Sequence, residues 1–445
     1  MKPTPVENVV GFLSFSRDHR DRVNAIETFS RREWNHVLQW LDDAGLAFYF
    51  LQRLKDTHAG DVVPPVVLSR LERNFASNQL RVDDMSHRFD AINKSFDHAG
   101  VQYVVIKGFS LVPQFCPYAP LRHQADLDYL VDEQSLPPAC RGLIDVGYSS
   151  QKSPSSKDSI FIIPGGSASR GDDQYSPQAP HAVELHTDIM DSKMLGLPPI
   201  PSLFSVAQAR TRHWNGFAFP AQADENAFLL QVLHACNHFF GQWIRMSCLF
   251  EIAYFLHRRT SDTELWRGIE QRVGDSAVLR EFVVIVTEVA AQLFAVPLPK
   301  LVQSWSTTIR PGPRTWIEYY ARNWALCDLP RYEFNLFPSA KLALFLHHQY
   351  RSASWDLQSR HQKESLCSRL SRVASSIKSD PSLVLNAGWW RRQRLIRRTF
   401  YYASAGLRYV CEIPRWRWRN RALRQTATAA SIPWTGDSLP SKKAS

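Results

Sequence analysis

From about residue 18 to 98 the apolar positions recur at three- and four-residue steps: Trp34, Val37, Leu38 and Leu41, then Leu46, Tyr49, Phe50 and Leu54. That spacing lays an apolar stripe along a helix. Gly60-Asp61 and Pro64-Pro65 break the run. A second helical stretch follows through Leu71, Phe75, Leu80, Phe89, Ile92 and Phe96, and Gly100 stops it. Then the period changes. Val101 to Ile106 is a short β-branched run and reads as a buried strand, as do Leu127 to Val131 and Ala182 to Leu185. Between the last two, Pro137 to Leu143 predicts a short helix. The polar stretches 149–159 and 165–180, around an apolar island at Ile160 to Ile163, predict a loop or hairpin insertion.

Helical spacing returns after Pro220. Asp224 is the expected N-cap of a helix ending at Gly241, and two more helices are expected from about Trp243 to Arg258 and from Ala277 to Phe294. Beyond Pro297 the pattern blurs, with one helix expected around Leu342 to Tyr350, then a serine-rich stretch. No internal repeat is visible.

Composition narrows the class. A chain of 445 residues suggests two or three domains, and 44% hydrophobic with 12% aromatic residues supplies a globular interior. Seven cysteines (116, 140, 236, 248, 327, 367, 411) are scattered without a CxxC pair, which points to a reducing compartment and away from a zinc ribbon. MKPTPVENVV lacks the basic-then-apolar plan of a signal peptide. The most apolar stretch, Phe282 to Val296, is interrupted by Glu288 and Gln292 and reads as a buried amphipathic helix rather than a span. A cytoplasmic location is expected, with the tail described next allowing a peripheral place at the inner face of the membrane.

Charge is concentrated at one end. The net charge is +11, and residues 389–424 hold eleven arginines, no lysine and one acid, Glu412, so that stretch alone contributes +10. Trp389, Ile396, Phe400, Ala403, Leu407 and Val410 fall at helical steps, and RWRWRNR (415–421) interleaves guanidinium with indole. Three readings stand: a helix on an anionic membrane surface, a helix packed on the protein body with arginines in water, and, less favoured, a nucleic-acid contact.

The chemistry-bearing set lies in the strand-forming region. Ile106-Lys107-Gly108-Phe109-Ser110 reads as a strand ending at a glycine turn that opens a helix. There backbone N–H groups point outward, glycine lets a phosphate approach, and the Ser110 hydroxyl adds a donor. Phe109 and Pro113 are bulkier and stiffer than such a turn needs. Asp126 and Asp128 alternate along a strand, so their carboxylates share a face. Glu184 is a third acid on a strand of its own. Carboxylates that converge beside a phosphate turn suit hard divalent cations and two-metal phosphoryl or nucleotidyl transfer. An Asp-x-Asp alone is weak, and the ordered set is much stronger.

YVVIKGFSL, PYAPLRHQADLDYLV and VELHTDI resemble the uncharacterised bacterial nucleotidyltransferases, distant relatives of the DNA polymerase beta fold. Their pattern is LKG, an arginine shortly before D-x-D, then a hydrophobic-acid-hydrophobic-His strand. LHACNHFF and IRMSCLFEIAYFL are similar to the family's downstream helices, so the resemblance covers about residues 30–300. It implies an α+β fold: a small mixed β-sheet nucleotidyltransferase core flanked by N-terminal and C-terminal helical regions. The expected divisions are 1–98 (N-terminal helical region), 99–190 (core), 191–305 (helical substrate side) and 306–445 (helical extension with the basic tail). It further implies that Gly108 and Ser110 face a triphosphate, with Lys107 and Arg122 as further phosphate contacts. Asp126, Asp128 and Glu184 would be catalytic and hold two Mg²⁺, or Mn²⁺ in their place. A nucleoside monophosphate would pass from a nucleoside triphosphate to a hydroxyl or phosphate of an unidentified acceptor, a small metabolite, glycan or protein of a biosynthetic cluster.

His186 shares a strand face with Glu184 and either orients a carboxylate, touches substrate or packs in the core. His234 and His238 stand four apart on a helix, a metal-compatible spacing; without a third ligand in view, hydrogen bonding near the cleft is the favoured role. Two competing readings remain. One is a catalytically degenerate interaction protein of the same fold, held at a membrane or partner by its basic tail. The other is an Asp-x-Asp glycosyltransferase, ranked last because only helices precede residue 99.

Overall fold

The computed structural model describes residues 3–16, 20–150, 158–163, 172–179, 181–188, 204–240, 245–326, 407, 410–419 and 421. The N-terminal third is helical: α1 (Pro5–Phe12), α2 (Arg20–Glu27), α3 (Arg31–Ala44), α4 (Ala47–Asp56) and α5 (Pro65–His98). Local chemistry sets the boundaries. Ser30 caps α3, its hydroxyl accepting from the Glu33 N–H at 3.3 Å while Glu33 accepts from the Ser30 N–H at 2.8 Å. Gly45, at φ +70°, ends α3 in the left-handed conformation. Prolines at the start of α5 fit the first turn, where no N–H is needed.

α5 runs 34 residues, about 50 Å at 1.5 Å per residue. Its first half, through Val67 and Leu71, packs into a helical core. Its second half, through Val82, Met85, Phe89, Ile92 and Phe96, roofs one face of a β-sheet.

The sheet is built from β1 (Tyr103–Ile106), β2 (Asp126–Val131), β3 (Ser149–Ser150), β4 (Asp158–Ile162), β5 (Ala182–His186), β6 (Arg210–Trp214) and β7 (Phe217–Ala221), in the order β3-β4-β5-β2-β1-β7-β6. β2 pairs with β5 and β1 with β7 in parallel; the other pairs are antiparallel. Helix α6 (Leu136–Asp145) joins α5 on the roofed face. On the other face Val104, Ile106 and Leu130 meet Leu230 of α7 (Asp224–Phe240). Beyond it, α8 (Met246–Arg259), α9 (Thr263–Val273) and α10 (Ala277–Phe294) join the helical core, followed by α11 (Lys300–Ser306), α12 (Pro311–Trp316) and α13 (Arg322–Ala325). The α+β architecture expected from the sequence is therefore present: a mixed sheet with helical regions before and after it.

Two details differ from the sequence expectation. The stretch expected to be helical from 191 carries the β6–β7 hairpin, so the sheet continues to Ala221. Its turn is Asn215-Gly216, both at positive φ, the backbone a two-residue hairpin requires. The glycine turn after β1 opens a single 3₁₀ turn, Gly108–Leu111, rather than a longer helix. Phe109 explains its own bulk: it is 1% exposed, stacks on Trp214 of β6 at 4.1 Å and meets Phe89 of α5 edge-on. A side chain that looked out of place at a phosphate turn is a core residue pinning that turn to two elements.

The expected helix at 342–350 and residues 389–406 of the tail lie outside the described residues. The described part of the tail, 410–419, is helical and docked. Trp416 is buried in the helical core, Tyr320 donates its hydroxyl to buried Glu412, and Arg419 lies over the Tyr319 and Tyr320 rings. Leu407, Val410 and Trp418 face outward. No helix among the described residues is long and apolar enough to cross a membrane.

Candidate active site

The register of β2 against β5 sets Asp128 opposite Glu184, and the register of β1 against β2 sets Ile106 opposite Asp128. Side chains alternate along strands, so Leu127, Tyr129, Val183 and Leu185 go into the core roofed by α5 and α6. Asp126, Asp128, Glu184 and His186 go to the opposite face.

There Lys107 donates Nζ to Asp128 Oδ1 at 2.8 Å. The His186 Nε2 lies 3.0 Å from the same oxygen and 3.5 Å from Glu184 Oε2. Ligand atoms of Asp128, Glu184 and His186 all fall within 4.8 Å of one another. Asp126, two residues before Asp128 on the strand, acts on the group through its charge. Asp128 is 2% exposed, and its second oxygen, Oδ2, is buried without a hydrogen-bond partner. A buried carboxylate oxygen with no donor is costly unless a cation completes it.

The electrostatics divide the two aspartates. Burial alone would raise Asp128, but Lys107 and His186 outweigh it and hold this carboxyl well below the usual range. Burial, then the neighbouring charge of Asp128, push Asp126 up to about 6. Burial opposes the charge on Lys107, yet Asp128, with Asp126 and Glu184, keeps its ammonium above the ordinary lysine range.

Lys107 also carries backbone strain. Its φ of +60° and ψ of −161° lie in a region nearly reserved for glycine, at a cost of about 1–3 kcal/mol. The conformation aims Nζ across the sheet at Asp128. Gly108 follows at φ +51°, and a Cβ there would stand 2.4 Å from the Gln124 side-chain nitrogen. Gln124 is buried and donates to the Asp126 carbonyl at 2.9 Å, so it has little room to retreat. Gly108→Ala is therefore expected to cost about 1–2 kcal/mol by chemical denaturation and to displace the strand end that carries Asp126. An unchanged unfolding midpoint would remove the glycine requirement.

Two residues expected at the phosphate are committed within the protein. The Ser110 hydroxyl, 6% exposed, donates to the Lys107 carbonyl at 2.7 Å and closes the turn. Arg122 donates Nε to Glu251 of α8 at 2.6 Å and Nη1 to the Gly108 carbonyl at 3.4 Å. It ties the turn to α8. His234 and His238 lie one helical turn apart on α7, their Nε2 atoms at 3.1 Å. The charges of Lys107 and Asp128 act on the His234 ring, so this pair borders the carboxylate cluster.

Sequence reasoning did not single out Gln124, Arg245 or Glu251. Arg245 precedes α8, donates to His123 Nδ1 at 2.9 Å and places positive charge near Asp126. Glu251 anchors both Arg122 and Tyr49. All three depend on contacts between distant segments, which no local pattern encodes.

Residues 30–295 match a family described as uncharacterised nucleotidyltransferase. The chain belongs to that nucleotidyltransferase family. No curated protein and no solved structure matches it. The matched segment begins at the N-cap of α3 and runs one residue past α10, so it contains the whole sheet and the whole carboxylate cluster. Membership supports a nucleotidyl-transfer activity for the nucleotidyltransferase sheet described above.

Proposed function

We propose that the protein is a metal-dependent nucleotidyltransferase that moves a nucleoside monophosphate from a nucleoside triphosphate to a hydroxyl or phosphate acceptor. The observation that carries this reading is the buried Asp128 carboxylate, with one partnerless oxygen, set opposite Glu184 and beside a positive-φ glycine turn. The donor set fits a hard divalent cation. It offers carboxylate oxygens, as Mg²⁺ prefers, and more negative charge than Lys107 alone offsets. Asp126, Asp128 and Glu184 would hold Mg²⁺, which when bound supplies charge neutralisation at the transferring phosphoryl group.

The chain's own residues do the rest. The strained turn at Lys107-Gly108 holds the lysine at the end of β1, beside Asp128. Lys107, its ammonium held by Asp128, would meet phosphate oxygens arriving at the cluster. His186 orients Asp128 and bridges it to Glu184. Arg122, held by Glu251, keeps the Gly108 carbonyl in place. Such catalysis is positioning and charge compensation, with little covalent work for the protein.

The test is transfer of label from four α-labelled triphosphates, each offered with cell extract and Mg²⁺. Label should move to an acceptor with pyrophosphate release and should stop on chelation. No transfer, together with no Mg²⁺-dependent heat on titration with ATP, would leave the non-catalytic interaction protein standing instead.

A pH dependence follows from Asp126. Its proton and the cation compete for the same carboxylate, and the proton is held up to about pH 6. Between pH 7 and pH 5 the ionised fraction falls about tenfold, so apparent Mg²⁺ affinity should weaken about tenfold over that interval. Mg²⁺ titrations of ATP binding at the two pH values check this, and equal affinities would contradict it.

A further inference from the structure

Beside the carboxylate cluster lies a second set of donors of different chemistry. His234 and His238 stand four residues apart on α7 and share one face, with their Nε2 atoms 3.1 Å apart. Cys248, in the first turn of α8, brings its sulfur to the same point. Donor atoms of all three lie within 4.8 Å of one another. We propose that His234, His238 and Cys248 form a zinc site that clasps the last turns of α7 to the first turn of α8.

Three observations carry this assignment. The first is ligand type. Two imidazoles and a thiolate suit Zn²⁺, whereas the neighbouring carboxylates suit Mg²⁺, so the two clusters select different metals. The second is spacing. Ligands of a tetrahedral zinc at about 2.0–2.3 Å lie about 3.3–3.8 Å from one another. The histidine nitrogens already stand at nearly that separation, and the sulfur, within 4.8 Å of the other donor atoms, closes the remainder by rotamer adjustment. The third is placement. Both rings are half-buried, so water can fill the fourth position, while Cys248 is 8% exposed and its helix packs into the helical core.

Zinc enters as Zn²⁺ with no redox change. Cys248 binds as thiolate and releases its proton to solvent, and each imidazole binds through a neutral ring nitrogen. The clasp would fix the wall of the site where the charges of Lys107 and Asp128 act on His234.

The experiment uses the full chain, stripped with a chelator, dialysed against Zn²⁺ and analysed for metal by mass spectrometry. Co²⁺ then replaces Zn²⁺ as the spectroscopic probe. One zinc per chain is expected, and Co²⁺ should give a thiolate-to-metal charge-transfer band in the near ultraviolet. Cys248→Ser should remove the band and weaken Zn²⁺ binding about tenfold or more. His238→Gln should weaken binding similarly and serves where the cysteine variant folds poorly, a thermal melt deciding which is read. Asp128→Asn should leave the band intact, which separates this site from the carboxylate cluster. Sub-stoichiometric zinc, Co²⁺ bound without the band, or a band that survives Cys248→Ser would each overturn the proposal and leave a histidine–histidine hydrogen bond. None of these readouts depends on nucleotidyl transfer, so the two proposals fail separately.

Discussion

Asp126→Asn is expected to lower nucleotidyl transfer by on the order of 10³-fold or more while leaving the fold at least as stable. The first half follows from the role proposed for this carboxylate. A ligand to a cation that neutralises the transferring phosphoryl group is worth several kcal/mol in the transition state, about three powers of ten in rate. The second half follows from its surroundings. Asp126 is a half-buried acid close to the buried Asp128, and its carboxyl is pushed up to about 6 by desolvation and by Asp128. A carboxyl raised in the folded state binds its proton more tightly there than in the unfolded chain, where it titrates near 3.9. Its contribution to stability is therefore full below that value and is lost as pH rises through about 6. Asparagine removes the penalty, so at pH 8 the variant should melt at the same temperature or higher, and at pH 4 any advantage should vanish. Turnover retained within tenfold would sink the metal-ligand role, and a large fall in melting temperature at pH 8 would sink the account of the charge penalty.

Glu251→Ala should produce the largest loss of stability. Glu251 is 2% exposed and accepts from both Arg122 Nε at 2.6 Å and Tyr49 Oη at 3.0 Å. Removing it leaves the Arg122 guanidinium inside the protein with no counter-charge. Breaking one partner of a buried pair typically costs about 3–5 kcal/mol, a large share of the about 5–15 kcal/mol that holds a domain folded. Denaturant unfolding measures this directly. Glu251→Gln, which keeps an acceptor at the same place, should lose less. A loss below about 1 kcal/mol for alanine would mean that Arg122 finds another partner, and the tie from α8 to the Gly108 turn would have to be withdrawn.

Much of this fold was legible because its periods are strong. The stripes through Trp34–Leu41 and Phe89–Phe96 lie on α3 and α5, and the helix expected from Ala277 to Phe294 is α10 with those ends. The strands bearing Asp126, Asp128 and Glu184 were legible as short apolar runs, and the shared face of Asp126 and Asp128 from their spacing, whereas Glu184 was joined to them by the family resemblance. The β6–β7 hairpin went unread although Asn215-Gly216 between short aromatic runs is a hairpin signal; Arg210, Arg212 and His213 hid the strand character of β6. What the local pattern could not hold is the long-range part: that Phe109 belongs to the core, that Arg122 turns to Glu251, and that Cys248 arrives beside two histidines. Each depends on which segments meet across the fold.

The length of α5 has a consequence for how the molecule is divided. One unbroken helix is a member of both interiors, with Val67 and Leu71 in one and Phe89 and Phe96 in the other. A chain cut at the 98/99 junction would strip the sheet of its covering side chains and expose a face of tyrosine and valine to water. A fragment that keeps that face covered must therefore reach back at least to Val82.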